Sequence, residues 1–209
     1  MPHDHPHDHP VSRDHSEPRP AFAALLDQVL KVLDDKDILT TAQVTAQIED
    51  MDGRTPTEGA KIIARCWDDP DYLDLARTDL QAAAGQVGIA MPAYPKFVLL
   101  DNTGDVHHVV VCTLCSCYPR PILGPPPVWY KSRNYRARVV VEPRDVLAEF
   151  GTTVPQDKKL QVVDSTADCR YLVLPERPAG SDGMTQEQLA GLVTRDSMIG
   201  VTRLNVPVT

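Results

Sequence analysis

The chain has 209 residues, enough for one hydrophobic core or for one core with an appendage. Its apolar fraction of 42% and charged fraction of 24% are typical of a soluble globular protein. The formal net charge of -8 argues against nucleic acid or an anionic membrane as a partner, and no apolar stretch approaches the ~20 residues that a membrane span needs.

Residues 1 to 20 form a tail biased toward histidine, aspartate and proline. Five of the seven histidines of the chain fall before residue 16. The prolines disfavour a helix and almost nothing apolar is available to bury, so the tail is either a disordered leader or a loose metal-gathering arm. It lacks the apolar run of a signal peptide, and we therefore predict a cytoplasmic protein.

The next segment, residues 21 to 92, predicts an alanine-rich helical arm. Apolar residues recur at helical spacing over residues 20 to 33. Thr40 or Thr41 can cap a second helix. Cys66 lies on the apolar stripe of the third helix, which predicts core packing for its thiol. The predicted helices of this arm cover residues 20 to 33, 41 to 50, 57 to 67 and 72 to 84.

From residue 93 the sequence predicts a mixed α/β domain that extends to residue 209. Short β-branched or leucine runs alternate with turn signals and with two further helical segments. The fold class is therefore α+β, a helical arm followed by a metal-binding α/β domain. The predicted strands cover residues 96 to 100, 107 to 112, 136 to 141, 160 to 163 and 170 to 174, and the predicted helices residues 144 to 150 and 185 to 193.

A cluster of three cysteines follows the second predicted strand. Cys112, Cys115 and Cys117 fall within six residues, and the chain has five cysteines in all. An odd number does not suit a disulfide framework, and these three are too crowded to pair with one another without strain. In the cytosol such cysteines more often bind metal or take part in catalysis. The spacing therefore predicts a metal centre.

The cysteine spacing alone leaves the kind of metal centre open. A structural zinc site needs a fourth ligand from elsewhere, and an iron-sulfur cluster meets the same shortage of a fourth thiolate. A non-catalytic zinc or iron-sulfur module is thus one interpretation. Candidates for the fourth zinc ligand are His107, His108 and Cys169.

The other interpretation is a trivalent metal held by sulfur and deprotonated backbone nitrogen. The sulfurs of Cys115 and Cys117 and the amide nitrogens of Ser116 and Cys117 can lie in one plane, with Cys112 on one axial side. Removing amide protons needs a strongly Lewis-acidic ion, which favours trivalent cobalt or iron over zinc. A buried centre of negative charge also needs cationic partners. The local candidates are Arg120, Arg136 and Arg138.

Residues 109 to 119 closely resemble the metal loop of the nitrile hydratase α subunit. The likeness covers about residues 21 to 203, and the Cys-Thr-Leu-Cys-Ser-Cys motif is highly specific. Further matching stretches are residues 122 to 124, 126 to 131, 135 to 136, 142 to 144, 174 to 180 and 192 to 201, with a looser match over 59 to 61 and 64 to 70.

The resemblance implies a layered α-β-β-α domain and a role for each residue of the loop. Cys112 would be the axial thiolate, Cys115 a sulfinate and Cys117 a sulfenate, with amide nitrogens from Ser116 and Cys117. Threonine at position 113 goes with cobalt in this family, so one Co(III) per chain is expected rather than Fe(III). The implied enzyme is a lyase that converts a nitrile to an amide, in which the metal acts on the nitrile nitrogen or activates a water or the sulfenate oxygen.

The resemblance also implies partners. A β-type subunit would supply arginines to the oxidised sulfurs, and a metallochaperone would load the cobalt. Arg120 departs from the tryptophan that many family members carry, and a guanidinium suits a polar or anionic substrate. The run from Cys117 to Gly124 is also similar to the γ subunit of thiocyanate hydrolase, which releases carbonyl sulfide and ammonia. A small nitrile is the expected substrate and thiocyanate the alternative.

Overall fold

The computed structural model describes residues 20–206, and these residues form eleven helices and four strands. The predicted tail lies outside this range, except for Pro20, at which the first helix begins. None of the described helices is long and apolar enough to cross a membrane. The mixture of helices and short sheets confirms the predicted α+β class.

Two helices begin the described chain, α1 (Pro20–Asp35) and α2 (Thr41–Gly53). Thr40 caps α2, since its hydroxyl accepts from the N–H of Gln43 and the Gln43 side chain accepts from the N–H of Thr40. No residue of α2 is buried. The apolar stripe predicted for α1 is present but largely exposed: Phe22, Leu25, Leu26 and Val29 are exposed, and Leu30 and Leu33 are half-buried.

Three more helices follow: α3 (Thr57–Asp68), α4 (Pro70–Thr78) and α5 (Leu80–Gln86). The prediction of one continuous helix over residues 72 to 84 is wrong. The carboxylate of Asp79 accepts a hydrogen bond from the N–H of Ala82 and starts a new helix there, which breaks the pattern that the apolar spacing predicted. Cys66 is buried on α3, as predicted.

Four strands form two small parallel sheets: β1 (Lys96–Asp101), β2 (Val106–Val111), β3 (Lys159–Asp164) and β4 (Cys169–Leu174). β1 pairs with β4, and β2 pairs with β3. In the second sheet Val111 lies opposite Asp164, so the last residues of β2 and β3 meet at one edge. The chain leaves β2 at this edge and enters the cysteine loop.

Four short helices lie between β2 and β3: α6 (Arg120–Leu123), α7 (Val128–Lys131), α8 (Arg133–Arg138) and α9 (Pro143–Glu149). The strand predicted over residues 136 to 141 is wrong. Ser132 caps α8 through the N–H of Tyr135, and Val139 is fully buried just beyond the helix. Tertiary packing thus overrides the β propensity of the valine run. The last helices are α10 (Gln186–Leu192), capped by Thr185 as predicted, and α11 (Arg195–Ile199).

The core joins both halves of the chain. Buried side chains of α3, α4 and α5 belong to the same cluster as those of β1, β2 and β4, of α6 to α9 and of α11. The Trp67 ring nitrogen donates to the Pro175 carbonyl, 3.0 Å away, and ties α3 to the end of β4. A cluster of edge-to-face aromatic rings lies beside the cysteine loop, formed by Tyr118, Trp129, Tyr130, Tyr135 and Phe150.

Candidate metal centre

The cysteine loop begins where β2 ends. Val109 to Val111 are buried, and the N–H of Ser165 donates to the Val111 carbonyl at 2.7 Å, which fixes the entry to the loop. Cys112 is 1% exposed, whereas Cys117 is half-buried and Cys115 is exposed. The sulfurs of the loop therefore range from a buried position at Cys112 to an exposed position at Cys115.

The three sulfurs converge. Cys115 Sγ lies 3.4 Å from Cys112 Sγ and 3.3 Å from Cys117 Sγ, and all three sulfurs lie within 4.8 Å of one another. The five cysteines are free thiols, and a disulfide needs about 2.05 Å. If the sulfurs shared one ion at a typical metal–thiolate distance of about 2.3 Å, these separations would correspond to S–metal–S angles of about 92° to 95°. Such angles fit octahedral better than tetrahedral coordination.

The backbone amides of the loop lie on the same side as its sulfurs. Hydrogen bonds from the Cys117 thiol first, and then from the Cys112 thiol and the N–H groups of Ser116 and Cys117, hold the pKa of Cys115 below its usual value. Burial, with hydrogen bonding to Cys115, raises the pKa of Cys117 to about 12. Three crowded thiols resist joint ionisation unless a cation joins them, so this donor set fits a metal ion.

Thr113 anchors the loop to the end of β3. Its N–H donates to Asp164 Oδ1 at 3.0 Å, and its hydroxyl donates to Asp164 Oδ2 at 2.5 Å. Arg136 Nη1 donates to the Thr113 carbonyl at 3.4 Å. All three polar groups of Thr113 are therefore held by this chain.

The predicted histidine ligands lie elsewhere. His107 is buried, with its Nε2–H donating to the Gly200 carbonyl at 2.7 Å and its Nδ1 accepting from the Asn102 amide at 3.2 Å. Burial lowers its pKa. Over residues 20–206, Cys112, Cys115 and Cys117 are the only group of three or more potential ligands that converge, so neither histidine nor Cys169 completes a zinc site.

The three candidate arginines have different surroundings. Arg136 touches the loop through Thr113, whereas Arg138 pairs with Glu142 and with Glu149 and does not reach it. Arg138 is therefore not confirmed as a cationic partner of the centre, because two carboxylates of its own neighbourhood bind it. Arg120 is the first residue of α6, is exposed, and makes no side-chain hydrogen bond or ion pair with the described part of the chain.

Sequence reasoning missed three residues around the loop. Asp164 is the last residue of β3, and this strand end lies beside the loop. Tyr130 donates its hydroxyl to the Cys117 carbonyl at 2.8 Å, and the charge of Arg170 partly offsets the burial that raises the pKa of Cys117. The strand register that brings Asp164 to Thr113 is the only signal for it, and it is not local in sequence.

A family model described as nitrile hydratase, alpha chain, matches residues 21–202. The chain is 47% identical over 189 residues to the low-molecular weight cobalt-containing nitrile hydratase subunit alpha of Rhodococcus rhodochrous, which covers 90% of each protein. It is 46% identical over 157 residues to the thiocyanate hydrolase subunit gamma of Thiobacillus thioparus, covering 70% of this chain and 65% of that subunit.

Solved structures are similar over nearly the whole chain. A double mutant of the Fe-type nitrile hydratase from Comamonas testosteroni Ni1 has a TM-score of 0.81 and 37% identity, with 91% of this chain and 94% of that chain covered. A recombinant thiocyanate hydrolase comprising partially modified cobalt centres has a TM-score of 0.81 and 38% identity, with coverage of 90% and 95%.

Proposed function

The chain belongs to the nitrile hydratase alpha-chain family, and from this premise we propose that it is the metal-carrying subunit of a cobalt nitrile hydratase. The observation that carries the proposal is the convergence of three sulfurs, with separations of 3.3 and 3.4 Å that suit right-angle coordination. The reaction adds water across a carbon–nitrogen triple bond, so that the carbon gains oxygen and the nitrogen gains two hydrogens.

The proposed ligands are the sulfurs of Cys112, Cys115 and Cys117 and the amide nitrogens of Ser116 and Cys117. Thr113 and the similarity to cobalt-containing relatives support cobalt, as Co(III), over iron. When bound there, the metal would supply Lewis acidity toward the nitrile or toward water. The residues of this chain contribute the orientation of the five donor atoms, through Asp164 and through the backbone contacts of the loop.

Cysteine oxidation is part of the proposal, with Cys115 as a sulfinate, Cys117 as a sulfenate and Cys112 as a thiolate. Dioxygen would be the oxidant. The burial of the three residues supports this order, because Cys112 is 1% exposed whereas Cys115 is exposed and Cys117 half-buried. Accessible thiolates oxidise first.

The openness of the site supports a partner subunit. Cys115 is exposed, and the neighbouring Leu114 is 89% exposed. Water reaches such a site freely, which weakens every electrostatic interaction made there. We propose that a β-type subunit covers this face and supplies arginines to the oxidised sulfurs. Loading by a metallochaperone in the cytoplasm belongs to the same proposal.

Metal analysis of the complex, produced with its partner subunit and with cobalt in the medium, tests the proposal. We expect one cobalt per chain, and a peptide spanning Cys112 to Cys117 that carries two added oxygens on Cys115 and one on Cys117. Zinc or an iron-sulfur cluster with unmodified cysteines would instead support a non-catalytic module and refute the proposal.

The second candidate is the γ-type subunit of a thiocyanate hydrolase. It is favoured by the exposed guanidinium of Arg120 three residues after Cys117, and by the thiocyanate hydrolase relative. Turnover of the complex on aliphatic and aromatic nitriles and on thiocyanate separates the two candidates. Faster hydrolysis of thiocyanate than of every nitrile would select the second.

Replacing Arg120 with tryptophan is expected to change substrate preference. A guanidinium favours polar or anionic substrates, whereas an indole favours apolar ones, so kcat/KM for an aromatic nitrile relative to thiocyanate should rise about tenfold or more. Arg120→Lys keeps the charge and serves as the control, with a ratio close to the wild type. An unchanged ratio in Arg120→Trp would show that Arg120 does not contact substrate.

A further inference from the structure

Three side chains from one short segment bind three backbone carbonyls in or next to the cysteine loop. The Tyr135 hydroxyl donates to the Val110 carbonyl at 2.7 Å, and the Tyr130 hydroxyl donates to the Cys117 carbonyl at 2.8 Å. Arg136 donates to the Thr113 carbonyl at 3.4 Å. We call Tyr130, Tyr135 and Arg136 the carbonyl cradle. These three residues bind the chain before the loop, within the loop and at its end.

The carbonyl cradle binds only carbonyl oxygens, which are not among the proposed metal ligands. Its donors take carbonyl oxygens, whereas the sulfurs and the N–H groups of Ser116 and Cys117 lie together on the side where Cys115 is. Asp164 completes the hold through the N–H and hydroxyl of Thr113. Since Leu114 and Cys115 are exposed and Ser116 is only half-buried, packing alone does not fix the loop. The hydrogen bonds to the loop must therefore fix its conformation.

The cradle is itself rigid. Tyr130 is fully buried and Tyr135 is 5% exposed. The ring of Tyr130 packs edge-to-face on Tyr118 with centroids 5.1 Å apart, and Trp129 packs on Tyr135 at 4.9 Å. Donors held in this way are in place before a metal arrives, which is the condition for a preorganised site.

Arg136 has a buried polar atom whose energetic cost packing does not explain. Its Nε is buried and has no hydrogen-bond partner within residues 20–206. A buried N–H without a partner destabilises the fold, and such groups concentrate where function needs them. Tyr118, the residue directly after Cys117, also has a buried hydroxyl without a partner within residues 20–206.

We propose that the carbonyl cradle sets the angles at which the sulfurs and amides of the loop meet the metal, with Tyr130 and Arg136 as positioning residues. The inference rests on the proposed function, because it assigns these residues a role toward the cobalt ligands. Neither residue touches substrate in this role. Each acts through the loop carbonyl that it binds.

The variants Tyr130→Phe and Arg136→Gln test the inference in the assembled, cobalt-loaded complex. Each removes one donor to the loop. We expect the sulfur-to-cobalt absorption bands to shift and kcat to fall about tenfold to a hundredfold, the range found for outer-shell partners of metal ligands, with KM changed less than about twofold. Arg136→Lys keeps a donor and should recover part of kcat.

Arg138→Gln is the matched control, because it lies on the same helix and loses two ion pairs without touching the loop. Its absorption bands and kcat should equal those of the wild type. Folded, cobalt-loaded Tyr130→Phe and Arg136→Gln with unchanged bands and unchanged kcat would overturn the cradle alone. A wild-type complex without cobalt would overturn the proposed function and the cradle's role with it.

Discussion

Cys112→Ser is expected to abolish cobalt binding and to lower turnover at least ~10³-fold, because loss of a Lewis acid removes several kcal/mol of transition-state stabilisation. Cys112 is the buried sulfur of the cluster, and it accepts the N–H of Cys115 at 3.3 Å. Serine has nearly the same shape, so the fold is retained, but its hydroxyl does not ionise near neutral pH. Cobalt per chain, measured on the purified complex, is the primary readout.

Cys66→Ala is the control for Cys112→Ser. Cys66 is buried on α3 within the core and belongs to no group of converging ligands among the described residues. Burial raises its pKa to about 12, so its thiol stays protonated. Its removal should cost stability but leave cobalt content and the absorption bands unchanged. Full cobalt content in Cys112→Ser would contradict the assigned ligand set.

Gly200→Ala is expected to destabilise the chain by about 4 kcal/mol or to prevent soluble expression, from left-handed strain of about 1–2 kcal/mol and overpacking of about 1–3 kcal/mol. Gly200 ends α11 with φ 88°, and a Cβ there would lie 1.9 Å from the backbone carbonyl oxygen of His108. A backbone atom of β2 cannot yield without moving the strand that leads to Cys112. The midpoint of urea denaturation measures the loss.

Gly191→Ala is the control for Gly200→Ala. Gly191 lies within α10, and a Cβ added there would have no heavy atom within 4 Å. Alanine favours a helix interior over glycine by about 0.8–1 kcal/mol, so this variant should be slightly more stable than the wild type. Equal stability of the two alanine variants would show that the close approach of Gly200 to β2 is not rigid.

Most of the helices and strands could be predicted from local signals. Thr40 and Thr185 mark two helix starts because their hydroxyls cap the following turn, and this chemistry is visible in sequence. The segment from residue 133 to residue 141 could not be predicted. Its valines suggest a strand, but Ser132 starts a helix and Val139 is buried by packing that only the tertiary fold supplies.

The residues of the candidate metal centre also divide into those that the sequence predicts and those that only the fold brings together. Cys112, Cys115 and Cys117 are close in sequence, so their convergence follows from spacing. Asp164 lies 51 residues from Thr113, and its contact depends on the parallel register of β2 and β3. No local pattern encodes such a register. Arg138 shows the reverse limit, since its position in the sequence makes it a candidate partner, yet it pairs with Glu142 and Glu149.

The parallel pairing of β2 with β3 determines when the metal loop can form during biosynthesis. The N–H and hydroxyl of Thr113 have no partner until Asp164 has been synthesised and β3 has aligned beside β2. Parallel strands joined by a long crossover pair slowly. If the loop takes up a metal as proposed, we expect uptake to follow folding, in contrast to zinc fingers, in which metal binding drives folding. We expect the metal-free chain to be already folded, so that a loading protein of the kind proposed above would recognise a finished surface and not a nascent chain.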